Sequence, residues 1–301
     1  MIRVCGFPQI SASKQKGNPA KNYDQMWRKT MDISLLSMKF RRRLGLLFLA
    51  LGLGQCGSLS IEDEQLLGEQ QVAQLEAEVA VVANQDVTHY IEQLGSRLLA
   101  ATPDRNYQYR FRVVRSDALN AFAIAGGNIY VTTGAVLASR NVAELASILA
   151  HEIGHIQAGH IREHYYRFRN SRTTAELTGI TLALITGNPF LAGAGDLAVN
   201  LGTSAYIASH TREAEGEADA QAFTTMRAAG FDPRSQLTLL SRLHAASINQ
   251  QRALPFLLSH PLPVERVEEA RTRLSSLGEE ERLQVNDAGS LERVQEILLP
   301  R

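Results

Sequence analysis

His151, Glu152 and His155 stand in the order H-E-x-x-H within Ala150–Ile156. Positions four apart on a helix share a face. His151 and His155 therefore offer two imidazoles to one point, a pair suited to zinc. Glu152, one residue round the helix, sets a carboxylate beside the metal, where the general base for a zinc-activated water belongs. A buried helix histidine is more often a hydrogen-bonded core residue, so the surrounding element has to decide. Asn141 is a good helix cap, with Glu144 three residues on. Val142, Leu145, Ile148, Leu149, Ile153 and Ile156 run through the motif, with Ala143, Ala146 and Ala150 between them. A helix apolar on nearly all sides is a buried one. Two histidines and a glutamate inside it are costly unless paired or coordinated. One zinc ion accounts for all three.

A catalytic zinc keeps three protein ligands and one open position. The third ligand is sought in Thr211–Asp219, where Glu213, Glu215 and Glu217 compete. Helical phase separates them. Glu215, Asp219, Ala222 and Met226 fall on one stripe, read as inward-facing; Glu213, Glu217 and Gln221 fall roughly opposite, read as solvated. Glu215 is the expected ligand. Asp219 is the expected acceptor for the outer N–H of a ligating histidine.

These residues resemble the M48 family of zinc metallopeptidases, whose pattern is H-E-x-x-H followed by E-x-x-x-D in an S/T-R-x-x-E-x-E-A-D setting. Thr211-Arg212, Glu215, Glu217, Ala218 and Asp219 stand in those places. Asn120–Gly127 is similar to the family's N-A-F-A-x-P-G-G, with Ala125 where proline is usual, and His260–Arg266 to its H-P-x-x-x-x-R. The four blocks span roughly 60–274. The resemblance implies an α+β, mostly helical, zincin-like domain with a small sheet beside the H-E-x-x-H helix. It also prompts two further roles: His260 controlling access to the zinc or donating to the transition state, and Arg266 stabilising charge or pairing with a carboxylate. Among subgroups, the periplasmic chaperone–protease branch is the most similar. Its larger members carry a tetratricopeptide array, for which Arg301 leaves no room, so docking through such an array is not expected to transfer.

Of the 31 basic and 31 acidic residues, 10 and 2 lie before Gly57, so the remainder carries a net −8. Every lysine lies before Gly57. An acidic main body argues against nucleic acid as a partner. Met38–Arg43 followed by apolar Leu44–Leu53 reads as a secretory signal, too short for a membrane span. Met38 is then the expected true start, and the chain divides into an extension and signal over 1–56, a peptidase domain over 57–278 and a polar tail with a short helix over 279–301. Leu53-Gly-Gln-Cys56 resembles a lipobox, except that Gln55 stands where a small residue is expected. Lipidation of Cys56, tethering the protein to the outer membrane, and ordinary cleavage nearby both stay open. No disulfide is expected within the main body.

Helices are expected at Ser60–Ala83 (apolar side Leu66, Val72, Leu75, Val79) and Val87–Leu99. Strands are expected at Tyr107–Val114, Asn120–Ala123 and Asn128–Thr133. The Ala123–Thr133 region could take an extended substrate by strand addition, with Asn120, Gly126 and Gly127 as candidate residues, or be a plain hairpin. His160 and His164, on another face than the ligand pair, are read as solvent-facing or hydrogen-bonded in preference to a second metal site. Thr174–His210 is apolar, and reads as core or as a lid or membrane-touching surface. The expected protein is a secreted zinc endopeptidase (one zinc per chain) acting on unfolded proteins of the bacterial envelope. A zinc-stapled chaperone or lipid-anchored binding module is the rival.

Overall fold

The computed structural model describes residues 60–102, 106–163, 210–249, 255–261, 264–278 and 283–299. The signal-like stretch, Cys56, His164 and, apart from His210, the Thr174–His210 segment lie outside the described residues. Those described belong to one compact unit, Ser58–Arg301.

Two helices lead into the sheet, α1 (Ile61–Glu78) and α2 (Gln85–Ala100). Strands β1 (Arg110–Val114), β2 (Ala121–Ile124) and β3 (Asn128–Thr132) follow. Then come α3 (Thr133–Ala138), α4 (Val142–Gln157), α5 (Arg212–Ala228), α6 (Arg234–Asn249), α7 (Pro255–Ser259), α8 (Val264–Leu274) and α9 (Ser290–Leu298). The architecture is an α+β, mostly helical, zincin-like domain.

The sheet is mixed, with order β1-β3-β2. β1 pairs with β3 in parallel, Phe111 opposite Ile129, and β2 pairs with β3 in antiparallel, Phe122 opposite Tyr130. The outer edge of β1 is occupied by residues 80–82: Val82 N–H donates to Val113 O at 2.8 Å and Arg115 N–H to Ala80 O at 2.8 Å. β3 is thus central and wholly buried. It has no edge to lend to a substrate, which corrects half of the expected Ala123–Thr133 docking region. Strand order is a tertiary property, and the alternation of apolar residues does not encode it. β2 is the strand whose outer edge faces α4.

Val87, Ile91, Leu94 and Leu98 of α2 are buried as a stripe, joining β1, β3, α4 and α5 in the main core. α1 departs from its expected pattern. Leu66 is 61% exposed, while Glu64, Leu67, Gly68 and Leu75 are buried. The reason is that α1 clasps the turn between β2 and β3. Glu64 turns inward, accepting the Tyr107 hydroxyl at 2.7 Å and the Gly126 N–H at 3.4 Å. A Cβ on Gly68 would lie 2.2 Å from Ala125 O, so only glycine permits the approach. Ala125 N–H donates to Gln71 at 3.2 Å; proline, usual in that place, has no N–H to give.

α9 is a short helix in the stretch read as a polar tail with a short helix, and it has an apolar side. Leu291, Val294 and Leu298 of α9 enter the main core, and Tyr90 of α2 donates to Asp287 at 2.5 Å. Their i, i+3, i+7 spacing is a helical stripe that the surrounding charges had masked.

Candidate metal centre

α4 starts as its sequence dictates. Asn141 Oδ1 accepts the Glu144 N–H at 2.8 Å, and Glu144 reaches back to the Arg140 N–H at 2.9 Å. Every residue from Val142 to Ile156 is buried. α5 starts at Thr211, whose hydroxyl accepts the Ala214 N–H at 3.2 Å. The two helices meet at Gly154, one of the unspecified positions of the motif. A Cβ there would lie 3.0 Å from Ala218 O and 3.2 Å from its Cα. That close approach brings Glu215 beneath the two histidines.

His151, His155, Glu215 and His260 converge in one group. His151 Nε2 and His155 Nε2 are 3.0 Å apart, and His260 Nδ1 lies 3.3 Å from the former. The Glu215 carboxylate is 3.4 Å from His151 Nε2, 3.3 Å from His155 Nε2 and 3.1 Å from His260 Nδ1. Bonds of about 2.0–2.1 Å to a tetrahedral ion place its donors about 3.3–3.4 Å apart, close to these edges. The donor chemistry fits as well. His151 Nδ1–H donates to Asp219 at 3.0 Å, which makes Nε2, facing the group's centre, the nitrogen that a metal would take in place of a proton. Glu152 Oε1 is buried and has no hydrogen-bond partner. It lies 3.4 Å from His260 Nε2, and its carboxylate takes the Ala123 N–H of β2. These residues could hold one divalent ion.

Electrostatics points the same way. Burial opposes charge on His151, but hydrogen bonds and charge from Asp219 and Glu215 outweigh it and raise its pKa to about 10. Burial keeps His155 neutral, its pKa lowered to about 3. Burial raises the Glu152 carboxyl, a shift that the charges of His260 and His151 and the Ala123 N–H only partly offset. Burial would raise Glu215 and Asp219 too. Positive neighbours win there: chiefly His260 and Arg266 hold Glu215 well below its usual value, and Arg266 and His151 lower Asp219. The same carboxylates that keep a proton on His151 would favour a divalent ion in its place.

The sequence-selected residues divide. His151, Glu152, His155, Glu215 and Asp219 are brought together. His260 joins them at ligand distance, on the loop after α7, 1% exposed. Arg266 takes the second of its two expected roles, pairing with carboxylates. It is 3% exposed, with Nε and Nη2 on Asp219 at 2.8 and 2.9 Å and Nη1 near Glu215 at 2.6 Å and Pro261 O at 2.8 Å. Its donors are spent behind the carboxylates. Gly126 and Gly127 have φ of 77° and 83° and pack on Gln65, Tyr107 and Gln108, so they are turn residues under α1 and not cleft residues. Asn120 is buried at the start of β2, its O accepting Thr132 N–H at 3.0 Å and its N–H donating to the Thr132 hydroxyl at 3.1 Å. It sets the hairpin's register.

Phase reasoning missed two neighbours and put a third, read as solvent-facing or hydrogen-bonded, on the wrong face. Gln236 of α6 donates to Asp219 O at 3.2 Å. His210 stacks on the His155 ring, centroids 3.8 Å apart. His160, expected on another face, turns inward to His155. Crowding of histidines around one element was the available signal.

A candidate metal centre, two histidines and a glutamate on a pair of packed helices with a buried carboxylate beside them, is what this donor group defines. The model of peptidase family M48 matches residues 84–274, and the chain belongs to that family. It is 32% identical to the Beta-barrel assembly-enhancing protease of Yersinia pestis over 231 residues, 75% of this chain and 47% of that protein. The protein of the same name from Escherichia coli K12 is 29% identical over the same shares. The Mitochondrial metalloendopeptidase OMA1 of Schizosaccharomyces pombe is 28% identical over 60% of this chain and 51% of its own length. The chain thus spans about half the length of these curated relatives.

Proposed function

We propose that this chain is a zinc-dependent endopeptidase that hydrolyses peptide bonds in protein substrates. The observation that carries the reading is the convergence of His151, His155 and Glu215, with the unpartnered Glu152 Oε1 beside them. The mixed nitrogen and oxygen donors at tetrahedral spacing favour zinc over magnesium or calcium, which take oxygen donors in larger number. Zinc held there would supply Lewis acidity, toward a water molecule and toward the scissile carbonyl. His151, His155 and Glu215 are the ligands in this reading. Glu152 takes a proton from the attacking water and hands it to the leaving amine nitrogen. Asp219 holds the outer N–H of His151, and Arg266 holds Asp219 and Glu215 in place.

The substrate would lie along β2. Asn120 O pairs with Thr132 N–H, so by antiparallel alternation Ala121 and Ala123 turn their backbone groups to the outer edge; Glu152 holds the Ala123 N–H, so a substrate would use the Ala121 groups and the Ala123 carbonyl. The name of the two bacterial relatives, a protease that enhances β-barrel assembly, motivates envelope proteins as substrates here, in quality control, and the secretory-signal-like segment before Cys56 motivates the periplasm as compartment. The basic–apolar segment before Cys56 and the lipobox-like Cys56 support an outer-membrane tether in this reading. No helix among the described residues is long and apolar enough to cross a membrane. The net −8 after Gly57 disfavours nucleic acid.

One observation favours a second reading, a structural metal in a chaperone or binding module. His260 Nδ1 stands where a fourth ligand would close the coordination, as in structural sites. Metal content and casein cleavage of the chain, beside its Glu152→Gln and His260→Ala variants, separate the two. A peptidase gives about one zinc in each, cleavage by wild type and His260→Ala, and none by Glu152→Gln. Zinc without cleavage in any of the three supports the structural role. Absence of zinc from wild type removes both.

A further inference from the structure

We infer that His160 and Glu217 form a positioning relay that fixes the tautomer and ring plane of His155. The inference rests on His155 being a metal ligand through Nε2. A ligating imidazole must carry its proton on the other nitrogen, and the group that accepts this proton tunes the ligand. For His155 that group is a histidine. His155 Nδ1 lies 3.0 Å from His160 Nδ1, at 0% and 8% exposure of the two residues. His160 Nε2 lies 3.4 Å from Glu217 Oε2. The donors run one way. His155 Nδ1–H donates to the His160 Nδ1 lone pair; His160 therefore carries its proton on Nε2 and directs it at Glu217. This order leaves the His155 Nε2 lone pair facing His151 Nε2, Glu215 and His260.

The backbone is shaped for it. α4 ends at Gln157, and Gly159 adopts φ 76°, the left-handed region that glycine enters without a Cβ clash. Ala158 N–H and Gly159 N–H close the helix on Gly154 O and Ile156 O at 2.9 and 3.0 Å. The chain then re-enters helix at His160 with a changed phase, so a residue five after His155 can face it. Glu217 comes from α5, two residues beyond the ligand Glu215. One helix thus supplies a ligand, the support of His151 (Asp219) and the end of the support of His155 (Glu217). His210, stacked on the ring face, limits rotation from the other side.

The test is zinc affinity by competition with a chelator for wild type, His160→Ala, His160→Asn and Glu217→Gln, with urea unfolding of each metal-free protein. Asparagine can accept the His155 N–H through Oδ1, while alanine cannot. A lost ligand support of this kind weakens metal about 10–100-fold. His160→Ala should fall in that range, His160→Asn should recover most of the affinity, and Glu217→Gln, half-exposed and tolerant of change, should show a smaller loss. An imidazole ¹⁵N–¹H signal from His155 Nδ1 should persist in His160→Asn and vanish in His160→Ala. Equal zinc affinity in wild type and His160→Ala overturns the relay. So does a loss in His160→Ala that tracks metal-free stability and that asparagine leaves unrepaired. If wild type itself binds no zinc, the ligand assignment fails first, and that result is distinct from either.

Discussion

The two histidines of the H-E-x-x-H helix point at one centre, yet their far sides are built differently. Behind His151 lies a closed ionic clamp: Asp219, 1% exposed, is gripped by Arg266 through two nitrogens and touched by Gln236. Behind His155 lies a second imidazole, His160, that leads to Glu217, whose side chain is 56% exposed. A charge that is buried with its partner is retained at a high desolvation cost and is disrupted badly when one partner is removed. A relay that ends at the surface shares its last charge with water and salt. One face of the centre is therefore expected to be rigid and intolerant, the other tunable.

The largest contrast should come from Arg266→Ala. It leaves Asp219 and Glu215 buried without their cation, a loss of about 3–5 kcal/mol in unfolding free energy. Denaturant unfolding of the metal-free protein measures it, and zinc should recover part by supplying positive charge to Glu215. Arg266→Lys should restore only part, since an ammonium cannot span both Asp219 oxygens as the guanidinium does. A near-normal Arg266→Ala protein would contradict the clamp.

The next contrast is in acid. Asp219 has its folded pKa held below the ordinary value of about 4. Between those two values the unfolded chain binds the proton that the folded chain refuses. The stabilisation is thus present above about pH 4 and is lost as pH falls through the folded value. His151 works at the other limb: with its folded pKa raised to about 10, its contribution is present below about 6.5 and lost as pH rises toward 10. Urea unfolding of the metal-free protein across pH should show both limbs. Asp219→Asn should weaken the acid one, leaving the share that Glu215 contributes. An acid limb that survives intact in Asp219→Asn would show that the clamp is not its source.

The rigid side was legible in the sequence and the tunable side was not. Glu215 and Asp219 are four apart on one continuous helix, so phase alone put both carboxylates inward and left Glu213 outside. Arg266 was visible as a candidate, but its partner was not. Its position 47 residues beyond Asp219 makes their contact a product of how α8 packs on α5. His160 defeated the phase argument, because extrapolating α4 beyond Gln157 ignores the left-handed turn at Gly159. The same limit applies to β3, whose alternation fits either an edge or a central strand. It applies also to α9, whose three core positions, two leucines and a valine, sit among charges that read as a polar tail. Helical phase held within α4 and α5, failed within α1, where Glu64 turns in and Leu66 out, and carries no information across a break in a helix.

The smallest contrast is the most discriminating for the relay. Glu217→Gln removes a charge that water already screens, and exposed pairs of this kind are worth about 0.2–1 kcal/mol. That corresponds to about a fivefold change in zinc affinity at most. Salt should then narrow the gap between wild type and Glu217→Gln, because screening weakens the wild-type contact and has little to weaken in the variant. The gap between wild type and His160→Ala should persist, since the 3.0 Å contact between His155 and His160 is buried and needs no net charge on either ring. Chelator competition at low and at high ionic strength reads both gaps in one series. If salt erased the His160→Ala difference as well, His160 would be acting through long-range charge and not by accepting the proton of His155.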